Sequence, residues 1–537
     1  MKNSAAMNTK STLTLLLFAL ASCSEAYATG ELRLCIAGDP KTFDPLQVTD
    51  ENSEIVRYLT GGTLLRIDRI SDEIQPELAE SWSVDKKGES ITFRLRSGLK
   101  FSDGTSLTAN DVARTLRMAF DPVNASPVGD KFRSEHGLPA IDVVSPRQIT
   151  IRYPTARPGL ERLFDEFYVA PPGSSRARSS AGPFFVSDYR PGEAVLLKRN
   201  PWYWKRDGAG RQLPYLDSIR LDIQTNRDIE VARFARGEIQ MMRKLDPDNF
   251  ALISRQEPAA ARDLGPSMDS EFLWFNQAPS AVPEWKRKWF MSAAFRHAVS
   301  ASIRREDLAR IAYKNHAHPA AGPLSPANRY WFNPELKPLR FDPELATKTL
   351  RDEGFTLRDG VLRDKDAHAV EFSVITNSGN RSRQAIAALI QADLGKIGIR
   401  VNIVTLDFGS LIERIAKTSQ YEACLLGFTN MALDPNDQMN AWLSSGPQHA
   451  WWPSQKSPST KWEARIDQLV LAQVSEPSRD LRRKAFNEVQ RILVEQEPVI
   501  YLLNPDYLSA IAPSLRGIRP TALFPQSLSN VEWLSLQ

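Results

Sequence analysis

The segment from Ala79 to Phe120 constrains this chain most, because consecutive local signals in it agree on one arrangement. Ser81-Trp82-Ser83-Val84 opens an extended run. Asp85-Lys86-Lys87-Gly88 ends it in a turn, with Gly88 supplying positive φ. Ile91 to Arg96 then alternates apolar and polar residues, the period of a half-buried strand. Ser102-Asp103-Gly104 forms a second turn. Thr108, three residues before Asp111, has capping-box spacing, and Val112, Leu116 and Ala119/Phe120 share one helical face. The segment therefore predicts strand, turn, strand, tight turn and capped helix. It contains no catalytic residue set.

Around it the early chain is rich in strands. Leu32–Ala37 reads as the first strand and Asp50–Leu65 as a helix running into a strand at Gly61-Gly62. Asp142–Tyr153 reads as a hairpin, and 181–223 as strands joined by the aromatic loop Arg199-Asn200-Pro201-Trp202-Tyr203-Trp204. Later, strand and helix alternate. Trp289–Ala301, Phe341–Glu353, Arg383–Lys396 and Leu411–Lys417 have helical periodicity, and Val499–Leu502 reads as a late strand. Alternation of this kind implies α/β lobes with largely parallel sheets. At 537 residues two or three lobes are expected, since domains run roughly 100–200 residues. The formal charge of +4, with no dense Lys/Arg tract, argues against a nucleic-acid binder.

The N-terminus carries an export signal: Lys2 and Lys10, then the apolar run Thr12–Ala21, too short to span a membrane. Two processing sites compete. Ala26-Tyr27-Ala28 precedes Thr29, and Leu20-Ala21-Ser22-Cys23 resembles a lipobox whose Cys23 would be acylated. Met7 is an alternative start. Export admits a disulfide between Cys35 and Cys424, but each lies in an apolar strand, which favours two separately buried thiols.

The run Glu80-Ser81-Trp82, Ile91–Arg96, Gly98-Leu99-Lys100-Phe101-Ser102-Asp103-Gly104 and Leu107-Thr108-Ala109-Asn110-Asp111-Val112 resembles the signature of the periplasmic oligopeptide/dipeptide-binding family of ABC-importer solute-binding proteins. Phe43-Asp44-Pro45, Gly182-Pro183-Phe184, the 199–204 block, Leu213–Asp217, Phe275-Asn276 and Phe295–Val299 agree in the same order, so the resemblance spans about residues 31 to 537. Relatives usually have Pro where Ser106 stands. The resemblance implies an α/β, bilobal periplasmic-binding-protein-like fold: signal peptide 1–28, first lobe 29–60, 182–271 and 501–537, strand-rich insert 61–181, and second lobe 272–500. A hinge is expected near Glu271–Asn276 and Val499–Asn504. A peptide or other small solute would be enclosed by hinge closure, then passed to ABC permease subunits with their ATPases. The implied protein is monomeric, exported to the periplasm or lipid-anchored outside a membrane, and needs no cofactor and no metal.

The same resemblance supplies the candidate ligand contacts: Thr42, Phe43, Asn276, Asn377, Phe428, Thr429, Asn430, Met431, His449, Trp451 and Trp452. In peptide-binding relatives an Asp near the position of Met431 holds the peptide ammonium. Met cannot, so another group must supply that charge if a free α-amino peptide binds. Asp434-Pro435 matches a structural Asp-Pro. His449-Ala450-Trp451-Trp452 offers indole surface for stacking, with local packing of the loop as the alternative. Arg296 offers a bidentate partner for a ligand carboxylate, with a solvated or hinge-bracing arginine as the favoured reading. His316-Ala317-His318 has no third metal ligand nearby in sequence. No G-x-S-x-G, H-E-x-x-H or phosphate-binding loop occurs. The other readings are a solute receptor or chaperone-like binder without transport, and an exported hydrolase.

Overall fold

The computed structural model describes residues 30–132, 137–173, 179–279, 281–428, 434–474 and 476–537. Its frame is a twelve-stranded sheet that runs through two lobes. In the first lobe Glu31–Ile36 pairs parallel with Ser218–Ile223, which continues antiparallel to Ala194–Arg199 and then Phe184–Arg190. In the second, Glu371–Asn377 pairs parallel with both Arg400–Leu406 and Ala423–Phe428, and the latter lies antiparallel to Ser270–Phe275.

One strand joins the two. Val499–Ile511 pairs over its first half with Ser270–Phe275 and Ala317–Pro319, and over its second half with Ala261–Pro266 and Met241–Met242. The expected late strand Val499–Leu502 is thus far longer. Pro505 lacks an N–H and normally ends a central strand, which is why the sequence predicts a shorter one. Here Pro505 sits where the strand changes partners, and its carbonyl accepts from Ser267 N at 2.9 Å and Ser267 Oγ at 2.8 Å.

Period-two alternation places a core on each face of the sheet. Leu273 and Phe275 pack into one cluster, Phe272 and Trp274 into the opposite one. In the first lobe Leu32, Leu34 and Ile36 face one cluster, and Cys35 the other. Cys424 belongs to a second-lobe cluster. Both thiols are free and buried, as the apolar strands implied, and burial pushes Cys35 up to about 12.

The Ala79–Phe120 segment forms the core of the insert, as expected. Ala79–Val84 and Ser90–Leu95 pair antiparallel and join Gln148–Arg152 and Ala140–Ser145 in a four-stranded sheet. Helix Ala109–Phe120 buries Val112, Leu116 and Phe120 against Ile91, Phe93 and Ile149. The Asp111 carboxylate accepts from Thr108 N at 2.9 Å and Thr108 Oγ1 at 3.1 Å, fixing the helix start.

Two helices differ from expectation. Trp289–Ala301 is broken into Glu284–Met291 and Ala293–Ala301, because the Ser292 hydroxyl accepts from Phe295 N and caps the second helix. Leu411–Lys417 begins instead as helix Phe408–Glu413 and ends as a π turn, Arg414–Thr418. Among the described residues no helix is long and apolar enough to cross a membrane.

Candidate functional site

The parallel strands of both lobes direct their C-terminal ends toward a common cleft, where loops of α/β proteins gather ligand contacts. Strand Glu371–Asn377 leads into the loop Ser378–Asn380 and helix Arg381–Lys396, and strand Ala423–Phe428 ends at the same edge. Opposite them stand Arg227 and the Lys244–Asn249 turn of the first lobe. The space between has a volume of about 530 Å³ and is floored by Asp269, Ser270 and Glu271 and by Pro505 and Asp506 of the joining strand. A second cavity, of about 410 Å³, is walled by Ala294–Ala301, Arg305 and Tyr501, all in the second lobe or at the start of the joining strand.

The floor is rigid. Arg383 Nε donates to Glu271 Oε2 at 2.7 Å and Arg383 Nη2 to Oε1 at 2.9 Å, with both side chains under one-tenth exposed. Tyr313 OH adds a bond to Glu271 Oε1 at 3.0 Å. Burial of Arg383 disfavours its charge, but the Glu271 carboxylate overrides this and raises its pKa above the ordinary arginine value. Above the floor the cleft carries both signs of charge. Lys244 Nζ stands 3.4 Å from Asp269 Oδ2, and Arg381 is exposed in the first turn of its helix.

Of the sequence-predicted contacts, Phe428 lies on this cleft. It is 37% exposed, and its ring packs on Phe272 at 5.0 Å. Thr429, Asn430 and Met431 follow it but fall outside the described residues, as does Cys23. Asn377 reaches the cleft edge indirectly, since its Oδ1 accepts from Arg383 Nη1 at 2.6 Å.

The remaining candidates are committed elsewhere. Asn276 is fully buried. Its Nδ2 donates to Ser419 O and Tyr421 O, and its Oδ1 accepts from Ala278 N. Thr42 forms a local turn, accepting from Asp44 N, while Phe43 packs edge-on against Tyr189 at 5.0 Å within the first lobe. His449 and Trp451 are 1% and 4% exposed and turn inward. Trp451 Nε1 donates to Glu463 Oε1 at 3.0 Å, and His449 Nε2 lies 3.6 Å from the same oxygen. Burial pushes Glu463 up, but the neighbouring His449 and bonds from Ser459, Gln455 and Trp451 hold its carboxyl far below the usual range. Trp452 packs partly buried on the same core. The aromatic cluster is therefore local packing around a buried carboxylate.

Arg296 is buried, not solvated, and braces the approach to the joining strand. It donates to Glu497 O, Phe290 O and Gln496 O at 2.8, 2.6 and 2.6 Å. Asp434 caps its own turn and forms a two-pronged pair with Arg482.

A second junction between the bodies lies on the insert. Asp72 takes Arg162 of the insert on Oδ1 and Arg479 of the second lobe on Oδ2, the latter at 2.8 Å. Arg329 Nη1 donates to Ile70 O at 2.9 Å.

A family model described as bacterial extracellular solute-binding proteins, family 5, matches residues 73–450. A probable ABC transporter-binding protein of Deinococcus radiodurans is 27% identical over 440 residues, 74% of this chain and 73% of its own length. Di/tripeptide-binding protein 2 of Pseudomonas aeruginosa is 25% identical over 555 residues, 96% and 98% of the two chains. The ABC transporter substrate-binding protein CtaP of Listeria monocytogenes superposes with a TM-score of 0.80 at 19% identity, covering 95% of this chain and 99% of its own.

Proposed function

The chain belongs to the bacterial extracellular solute-binding proteins of family 5, and from that membership we propose that it captures its solute in the cleft between Phe428 and the Lys244–Asn249 turn. Proteins of this family are the solute-binding components of ABC importers for peptides or related solutes, and this chain is one. The observation that carries the site is the 530 Å³ space lined by both lobes at their strand ends.

On this reading Phe428 packs against an apolar part of the ligand, with Thr429, Asn430 and Met431 completing that wall. Lys244 and Arg381 hold anionic groups. Asp269 supplies the acidic partner for a cationic group that Met431 cannot. The first lobe comprises 29–60, 182–271 and 501–537, the insert 61–181 and the second lobe 272–500. The lobes turn about Ser267–Ser270 and Asn504–Asp506, displaced from the expected Glu271–Asn276 and Val499–Asn504 because those two segments pair with each other within the second lobe and the joining strand takes its first-lobe partner only from Asp506. Ligand favours the closed state because it touches both lobes only there. An ABC permease with its ATPases then receives the closed form. The protein is exported and acts without covalent chemistry, either free after cleavage before Thr29 or anchored through Cys23, and as a monomer.

Isothermal titration with pools of two- to nine-residue peptides tests this. Saturable one-to-one binding is expected, weakened at least about tenfold, or 1.4 kcal/mol, in Phe428→Ala. Cleavage of the peptides, or binding indifferent to Phe428→Ala, Arg381→Ala and Lys244→Ala alike, would contradict it.

A further inference from the structure

His316 and His318, without a third ligand in the local sequence, acquire two carboxylates in the fold. Asp263 Oδ2 lies 2.6 Å from His316 Nδ1, and Asp506 Oδ1 lies 3.1 Å from His318 Nε2. One ligand atom each from Asp263, His316 and Asp506 falls within 4.8 Å of the others. These residues come from three adjacent strands or strand ends. Asp263 is on Ala261–Pro266, His316 directly precedes Ala317–Pro319, and Asp506 is on Val499–Ile511, which pairs with both.

We propose that Asp263, His316 and Asp506, with His318 as a fourth ligand, bind one divalent transition-metal ion at the junction of the lobes. Imidazole with carboxylate suits the class of zinc, cobalt and nickel. Two observations support it. The Asp506 side chain is only 4% exposed, and its Oδ1, 3.1 Å from His318 Nε2, receives no hydrogen bond of proper geometry. A buried acceptor left in that state calls for a better partner. Second, ligands around tetrahedral zinc sit about 3.4 Å apart, given metal–ligand bonds near 2.1 Å, so side-chain shifts of about an ångström complete the set. His318 is 54% exposed at its side chain and already stands at Asp506, so exchanging that contact for the ion supplies the fourth ligand. The Phe250 ring, edge-on at 4.8 Å, steadies His316.

The site adjoins the solute cleft, whose floor Asp506 also lines, but it uses none of the contacts proposed at Phe428, Lys244, Arg381 and Asp269, and bound metal would pin the strands about which the lobes turn. The experiment uses the full mature chain, stripped with chelator and titrated with Zn²⁺ by calorimetry and with Co²⁺ by visible absorption. One ion per chain is expected, with cobalt bands of a four- or five-coordinate site. Affinity should fall about tenfold or more in His316→Ala and in the more exposed Asp263→Asn, with circular dichroism unchanged, and should persist in His297→Ala. No stoichiometric uptake at tens of micromolar metal (roughly the affinity of a weak protein site), or uptake that survives both His316→Ala and Asp263→Asn, would overturn the proposal.

Discussion

Arg479 of the second lobe and Asp72 of the insert meet at 2.8 Å, and Asp72 at the same time holds Arg162 of its own body. The contact can form only while insert and second lobe are together. Both side chains are a little over one-third exposed, so the pair contributes at most about 1 kcal/mol. Arg479→Ala should therefore weaken solute binding about two- to fivefold, with the melting temperature unchanged. Calorimetric affinities for wild type and variant check this, and equal affinities would remove the pair from the closing surface.

The Glu271–Arg383 pair is of another kind, buried on both sides. Removing one partner leaves the other charge stranded. Glu271→Ala or Arg383→Ala should each cost about 3–5 kcal/mol in urea unfolding. The double variant should cost less than the sum of the two, because it strands no charge.

Glu497 gives a pH dependence. Burial pushes its carboxyl up to about 7, against the bond from Ser300 and the charges of Arg305 and Arg296. A raised acid binds its proton more tightly when folded. Its contribution is complete below the unfolded value, about 4.5, and is lost as pH rises through about 7. Second-lobe stability should fall between pH 5 and 8 by up to about 3 kcal/mol. Glu497→Gln should flatten that slope, and urea midpoints at the two pH values decide it.

Cys35 and Cys424 should not react with a thiol reagent in the native protein, since burial raises both thiols above their usual range. Two equivalents should react after denaturation of the processed chain that begins at Thr29. Rapid native labelling of either would show that its core opens.

What could be read from the chain depended on how far apart the partners lie. The Thr108–Asp111 box and the Ile91–Arg96 alternation are local, and both formed as read. Glu271 and Arg383 are 112 positions apart, and the only hint is a charge inside the apolar strand Ser270–Phe275. His449 and Trp451 resembled a stacking surface because Glu463, which turns them inward, belongs to a separate helix, Lys461–Val474. The histidine pair lacks ligands in the local sequence for the same reason: Asp263 and Asp506 lie on neighbouring strands that are far from it along the chain. Fold and family rest on local periodicity and motifs, whereas side-chain commitments in the cleft are set by tertiary pairing.

Native mass spectrometry of the mature chain, purified from its own host without unfolding, tests enclosure of a solute most directly. Enclosure predicts a single non-covalent mass at one per chain, released on unfolding, and a peptide or related solute that rebinds with a smaller radius of gyration in scattering. A chain that carries nothing, and neither binds nor contracts with any fraction of host extract or peptide pool, would contradict it.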